Sequence, residues 1–319
     1  MPISGTTTYH NSPNFTGMLY LAGQNHTPLL TMMGGISGMN VWTTPSIEFS
    51  VGQSLDVGSA SQPSISENAS LTAPTATTYT RGQTTNTVQI FQETIALSDI
   101  AQAKGVGVVQ ADSTLLHSPS GALLNESPME FQLQSTMRKM AKNLEFTMLQ
   151  GVYQKAVDAN TAAQSRGLLE ASSVTAINAS GSPLTTQMFD QLIGDMRGNG
   201  AIFEVPVVIV NARLKSALSY LYGYQPQAYD VGGVNIESIL TDHGQVGVVY
   251  DFQMPTDQLL VAEMSVLRLM AMPKMGYPPV YIEPLGKQGM ADSWQVAAVL
   301  GLDHGPSQYH GKITNLLVS

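Results

Sequence analysis

The feature that most limits what this chain can fold into is one unbroken amphipathic run, residues 127–158, SPMEFQLQSTMRKMAKNLEFTMLQGVYQKAVD. Met129, Leu133, Met137, Met140, Leu144, Met148, Val152 and Ala156 recur every three or four residues and so share one stripe of a 3.6-period helix. Phe131, Phe146, Leu149 and Tyr153 widen that face. Ser127 suits the N-cap, Pro128 the first helical position and Glu130 the carboxylate of a capping box. The pattern predicts a single helix over 127–158, about 46 Å long. A compact chain of this length would be about 50 Å across, so the helix would span it from end to end. No second run matches it in length, which argues against a bundle and for a helix that serves as a spine.

Composition narrows the function classes. Only 12% of the 319 residues are charged, the net charge is −9, and there are 14 basic residues with no run of them. Binding to nucleic acid through phosphate neutralisation needs clustered Lys and Arg, which are missing. Cysteine is absent, so disulfides and thiolate metal sites are excluded. No window approaches 18 consecutive apolar residues, and the N-terminus lacks the basic-then-apolar pattern of a signal peptide, so no membrane association is expected.

Around the spine the chain divides readily. The first residues, to about 26, are Thr, Ser, Asn, Gly and Pro with few hydrophobes, and read as an arm ordered by a neighbour. Residues 43–88 hold 18 Ser or Thr and only four charges, Glu48, Asp56, Glu67 and Arg81. Strand-forming pieces at 46–51 and 84–91 make this a two-armed β excursion that cannot build a core of its own and reaches up to about 65 Å. Residues 87–98 read as the returning strand, with Val88, Ile90, Ile95 and Leu97 inward and a helix from Glu93 onward as the alternative. An ordinary α/β region follows: helices at 185–197 and 212–222, a buried strand at 205–210, and strand signals at 234–240, 245–252 and 258–272. Three closing strands, at 279–282, 293–302 and 313–318, need an apolar partner, and the stripe of the long helix offers one.

No catalytic constellation is present. His10, His26, His117, His243, His304 and His310 never take ligand spacing, and there is no GxSxG elbow. Gly305 to Lys312, GPSQYHGK, has five residues rather than four between its glycines, and Ile313 stands where a phosphate loop needs Ser or Thr. Asp242 with His243 reads as a turn, and Glu237, Asp242 and Asp251 are the nearest grouping of carboxylates. No enzyme activity, cofactor or metal is expected.

The order of parts, with the phrases HTPLLTMMGG (26–35), IFQETIALSD (90–99) and HGKITNL (310–316), resembles the major capsid proteins of tailed bacteriophages with the Hong Kong 97-type fold, in a podovirus-like subgroup. The resemblance covers the chain from about Phe15 to its end. It implies an α+β fold with an N-terminal arm at 1–40 and an extended loop at 41–98. A first part of the peripheral domain follows at 99–170, carrying the spine helix 127–158; the axial domain then takes 171–272 and the second part of the peripheral domain 273–319. It further implies self-assembly into hexamers and pentamers of an icosahedral head, built in the host bacterial cytoplasm around double-stranded DNA that is touched weakly and non-specifically. The implied partners are other copies of the chain, a separate scaffolding protein, a portal and a decoration protein. An encapsulin-like nanocompartment shares the fold and stands as the alternative; an enzyme with a β-rich appendage is the alternative from another class. Candidate contacts between subunits are Arg138, Lys139, Lys142 and Glu145 on the spine, answered by Glu48, Asp56 or Glu67 of a neighbour's loop, with Arg81 at the loop's returning arm.

Overall fold

The computed structural model describes residues 26–35, 41–55, 60–79, 81–100, 128–222, 227–231, 234–287 and 289–317. The arm expected before residue 26, Asp56, His117 and the cap Ser127 lie outside them.

Two sheets share one central core. In the first, the strand β13 (Ala291–Asp303) is the axis: it pairs antiparallel with β4 (Gln89–Ser98) over ten positions, with β12 (Val280–Leu285) at its middle and with β11 (Arg268–Ala271) at its end. The short β1 (Val41–Thr43) lies parallel to β11. In the second, seven strands run in the order β5 (Ala176–Asn178), β14 (His310–Thr314), β10 (Leu259–Glu263), β6 (Pro206–Val210), β9 (Gly244–Tyr250), β8 (Val234–Thr241), β7 (Gln227–Val231). The unbroken apolar run of β6 follows from burial on both faces. Val208 and Val210, with Leu259 and Val261 of β10, pack under α5 (Thr186–Gly198) and α6 (Ala212–Leu221). Val207, Ile209, Leu260 and Ala262 face the other way, into the core shared with α1 (Pro28–Met32), α3 (Pro128–Gln150), α4 (Leu168–Ala171) and the first sheet. Both α5 and α6 begin on a side-chain cap, Thr185 accepting from Met188 N and Asn211 from Arg213 N.

The spine helix is shorter than its pattern predicts. It ends at Gln150 after 23 residues, about 34 Å, and residues 151–157 run on in extended form, Gln154 bridging to Gln164. The cause is a backbone crossing. Gly151 lies so close to the returning chain that a Cβ on it would stand 2.3 Å from Ser165 O, and one on Gly167 would stand 2.6 Å from Gly151 N. Val152 and Phe146, expected on the buried face, are exposed, whereas Met140, Leu144, Met148 and Leu149 are sealed in the core.

The sheets also cut the chain differently from the segment boundaries read in sequence. β14, placed among the peripheral strands, joins the seven-stranded sheet beside β10, so its Ile313 packs under α5 and not on the spine. β11, placed in the axial segment, and β1 and β4, placed in the extended loop, all belong to the five-stranded sheet. Pairing of backbone groups between strands distant in sequence, from Val41 with Leu269 to Ala271 with Leu300, decides these memberships, and no local pattern carries that information. The returning strand keeps β geometry to Ser98, so the helical alternative from Glu93 is not adopted in β4. Its inward residues are Phe91, Ile95 and Leu97, and Ile90 points out. Val88 sits between two strands and shifts the alternation by one, so it is buried although Ile90 is not.

The excursion is a separate two-stranded ribbon, β2 (Glu48–Leu55) with β3 (Arg81–Thr87), carrying a bulge after Val51. Its base borrows a small core: Phe49, Val51 and Val88 close over Met270 of β11.

Candidate assembly surface

Three features of this architecture lie outside its own packing needs: a fixed hairpin base, an exposed extension, and an open groove on the spine.

The base is held by buried polar groups. Asn86 is fully buried; its Nδ2 donates to Leu302 O (2.7 Å) and Arg166 O (3.2 Å), and its Oδ1 accepts from Arg166 N (2.7 Å) and Thr87 N (2.8 Å). Thr87 Oγ1 donates to Gln164 O, and Leu302 N donates to Ser165 Oγ. Opposite them Gly52, at φ 50°, lets the ribbon touch the backbone of Gly305 and Pro306, where a Cβ would stand 2.4 Å from Gly305 C. A left-handed conformation and a contact that close both require glycine.

Beyond the base the chain changes character. Residues 60–79 are exposed throughout, with a single turn of helix, α2 (Glu67–Ser70), capped by Ser66. Ile65, Leu71 and Tyr79 stand in solvent, Leu71 at 83% exposure. Burying such side chains is worth about 1.5–3 kcal/mol each, and the subunit itself does not bury them.

The groove lies between β4 and α3, a volume of about 530 Å³ open to solvent. Ile90, Phe146 and Val152 line it and are all exposed, Ile90 at 70%. Glu93, Gln92 and Asn143 supply its polar part. Its apolar side chains, Ile90, Phe146 and Val152, are ones that the sequence pattern assigns to the core, so periodicity hides the site.

The expected contact residues fall into three groups. Glu145 is a correction: it is buried and unavailable to a neighbour, because its carboxylate accepts the backbone N–H groups of Leu29 (2.7 Å) and Leu30 (2.8 Å) in α1. Lys139 and Glu48 are satisfied within the subunit. Lys139 Nζ pairs with Glu93 Oε1 at 2.6 Å, and Glu48 takes Lys155 Nζ at 2.7 Å and the Tyr153 hydroxyl at 3.1 Å. The Lys155 bond, ahead of that from Tyr153, holds the Glu48 carboxyl below its usual range. Arg138 and Lys142 are half-buried on α3, Glu67 is exposed on α2, and Arg81 lies in β3. Among the described residues, neither Glu48 nor Glu67 of the loop pairs with Arg138, Lys139 or Lys142 within one chain.

Buried ionisable groups elsewhere serve packing. His304 and His310 are both buried, their ring centroids 6.2 Å apart, with His310 Nε2 against His304 O at 2.5 Å. Burial lowers His304 to about 3 and His310 to about 4, so both are neutral. Among the described residues no group of three or more His, Asp or Glu could hold a metal ion, and no helix is long and apolar enough to cross a membrane.

Comparison with known proteins fits this arrangement. The family model described as SU10 major capsid protein matches residues 2–317. No curated protein matches the chain. Among solved structures, the capsid asymmetric unit of cyanophage A-1(L) superposes with a TM-score of 0.65 at 11% identity, covering 98% of this chain and 99% of the other. The capsid of a native GTA particle gives 0.58 at 10% identity, covering 96% and 95%. The holo-SrpI encapsulin complex from Synechococcus elongatus PCC 7942 gives 0.54 at 11% identity, covering 87% and 86%. At these identities the superpositions establish the Hong Kong 97-type fold, and the sequence model establishes descent. The chain thus belongs to the SU10 major capsid protein family: it is a structural shell protein of the phage head that assembles with copies of itself in the capsid of the virion.

Proposed function

We propose that this chain forms the hexamers and pentamers of an icosahedral head, and that residues 60–79 of one subunit lie over the groove between β4 and α3 of the next. The observation that carries this is the pairing of two surfaces that the subunit leaves unburied. One is a projecting segment with Ile65, Leu71 and Tyr79 in solvent, the other a groove with Ile90, Phe146 and Val152 in solvent. Each lacks what the other supplies. Glu67 on α2 would then approach Arg138 and Lys142 of the neighbour's spine, and the contacts are non-covalent. The resemblance divides the chain into arm 1–40, extended loop 41–98, peripheral parts 99–170 and 273–319 and axial domain 171–272; in our reading β1, β4 and β11 go with the five-stranded sheet and β14 with the seven-stranded one, and the hairpin base acts as the fixed end of the loop.

In this reading the head is assembled in the host bacterial cytoplasm with a separate scaffolding protein, a portal and a decoration protein, it encloses double-stranded DNA, and the subunit is not an enzyme. At a net charge of −9, the subunit encloses DNA without binding it tightly. Its affinity for free DNA is weak and falls with salt. The encapsulin-like alternative draws on the fold alone.

Replacing residues 60–79 by a short Gly-Ser turn tests the proposal. The truncated subunit should unfold within about 0.5 kcal/mol of the full chain, since it loses no internal contact, and electron microscopy should find no closed shells. Shells of normal size from the truncated chain would remove the extension from assembly.

A further inference from the structure

Glu145 lies in the last third of α3, following the cations Arg138, Lys139 and Lys142, yet its side chain is sealed in the core. Its partners are the amides of Leu29 and Leu30. α1, which they begin, has five residues and would not persist alone in water. It stays because Leu29, Leu30, Met32 and Met33 enter the main core beside Met140, Leu144 and Met148, and because Glu145 satisfies two amides that a helix start leaves open. Residues 26–35 are thus a strap laid across the spine, ending at Gly34 and Gly35, both at positive φ.

A second carboxyl stands at the same place. Asp251, just past β9, is also fully buried. Its Oδ1 accepts Gln253 N at 2.7 Å, and its Oδ2 has no hydrogen-bond partner among the described residues besides Glu145. Burial first, then the charge of Asp251, pushes the Glu145 carboxyl well above the usual carboxylate range, and burial also pushes Asp251 up. Two adjacent carboxyls in a dry core keep a proton between them. The two carboxyls are hydrogen-bonded to one another, so the shared proton lies between Glu145, whose oxygens also accept the two amides, and Asp251 Oδ2, which has no other partner.

We propose that Glu145 and Asp251 form a one-proton latch that holds residues 26–35 against the spine and opens when the pair gives its proton to solvent. His26, at the start of the strap, acts on Asp251 in the opposite sense to burial, and Lys142 stands one turn before Glu145 on α3. With the proton gone, two anions share one buried site. The repulsion is relieved when Glu145 releases the amides of Leu29 and Leu30 and the strap lifts. Because both carboxyls are raised, the latched state is favoured at low pH and lost as pH rises through the raised value of the pair. The latch gives the segment leading to the N-terminus a bound and a free position, controlled from inside the subunit and independent of the contact between subunits.

Hydrogen exchange on the full-length chain across about pH 5 to pH 9 tests it. The amides of residues 29–33 should show protection factors, corrected for intrinsic exchange, that fall about tenfold per pH unit above the transition. The amides of β6 should stay protected throughout. Asp251→Asn presents an N–H donor to Glu145 that cannot be lost, and should make protection of the strap flat with pH. Glu145→Gln accepts from only one of the two amides, and should leave the strap unprotected at every pH. A flat profile in the wild type, or the same fall in Asp251→Asn, overturns the latch. Infrared spectroscopy of the wild type keeps the test independent of the variants: a protonated-carboxyl stretch should vanish over the pH range in which the strap loses protection, and its absence, or its loss over a different range, also overturns the proposal.

Discussion

The base of the hairpin and its projecting end are written in nearly the same alphabet, Ser, Thr, Asn, Gln and Gly with sparse charge, and they behave in opposite ways. At the base Asn86 and Thr87 are fully buried, with Phe49, Val51 and Val88 under them. From residue 60 to residue 79 every side chain is exposed. Composition does not separate the two; the supply of partners does. The base lies where β13 ends and residues 164–166 cross it, so each polar group finds a backbone carbonyl or amide. The extension has no such neighbour within the subunit. A polar strand can therefore be as firmly fixed as an apolar one, provided its groups are answered in full.

Removing one answer at the base should be costly where removal of the whole extension is not. Asn86→Ala leaves Leu302 O, Arg166 O and the amides of Arg166 and Thr87 short of a partner at once. The expected loss is about 4 kcal/mol in urea denaturation, from unmet groups that cost about 1–3 kcal/mol each with some relief from water. A loss comparable to that of the extension deletion would erase the distinction between the two regions. Next in size is an effect of acid. His304 and His310 lie under the base, flanking the Gly305 that touches Gly52, and burial holds both below their ordinary 6.5. The unfolded chain takes up protons first, so stability is intact above about pH 6.5 and declines as pH falls toward about 4. For His310, lowered to about 4, the loss amounts to about 3 kcal/mol. His310→Gln, which keeps a donor toward His304 O, should flatten that part of the stability-pH curve, as followed by thermal unfolding.

Much of this was readable from residues alone, and the failures have physical reasons. The periodic stripe Met140, Leu144, Met148, the double-sided strand at 205–210, and the capped helices at 185–197 and 212–222 are local signals, and each appears within a residue or two of its expected place. The exposed nature of the excursion was also legible, because few hydrophobes and few charges leave nothing to pack. What was not legible depends on chain crossings. The end of the spine is decided by Gly151 meeting Gly167; a glycine inside a helical pattern was the available sign. Glu145 reads as a surface residue because three cations precede it, and only the arrival of Leu29 and Leu30, more than a hundred residues away, makes it internal. The groove stayed hidden because Val152 extends a stripe that the fold abandons after Gln150 and because Phe146, beside that stripe, turns out of the core.

The smallest expected effect belongs to the ion pair at the ribbon's entrance. Glu48, the first residue of β2, accepts from Lys155 and Tyr153 on the extended stretch that follows the spine. Both charges reach solvent, so the pair competes with water and ordinary salt and adds little to folding. Glu48→Gln should leave the denaturation midpoint almost unmoved. The Glu48 carboxyl lies below its usual range, so the little stability it adds is present at neutral pH and is lost as pH falls through that lowered value. Its value is directional. The pair sits at the ribbon's first pairing, Glu48 opposite Thr87 and one position from Asn86, where a tether to the body bears on the angle at which the ribbon leaves it. The variant should therefore fold normally yet form fewer or less regular shells, read as particle yield and diameter by electron microscopy. Normal shells from Glu48→Gln would show that the buried clamp around Asn86 sets the ribbon's direction by itself.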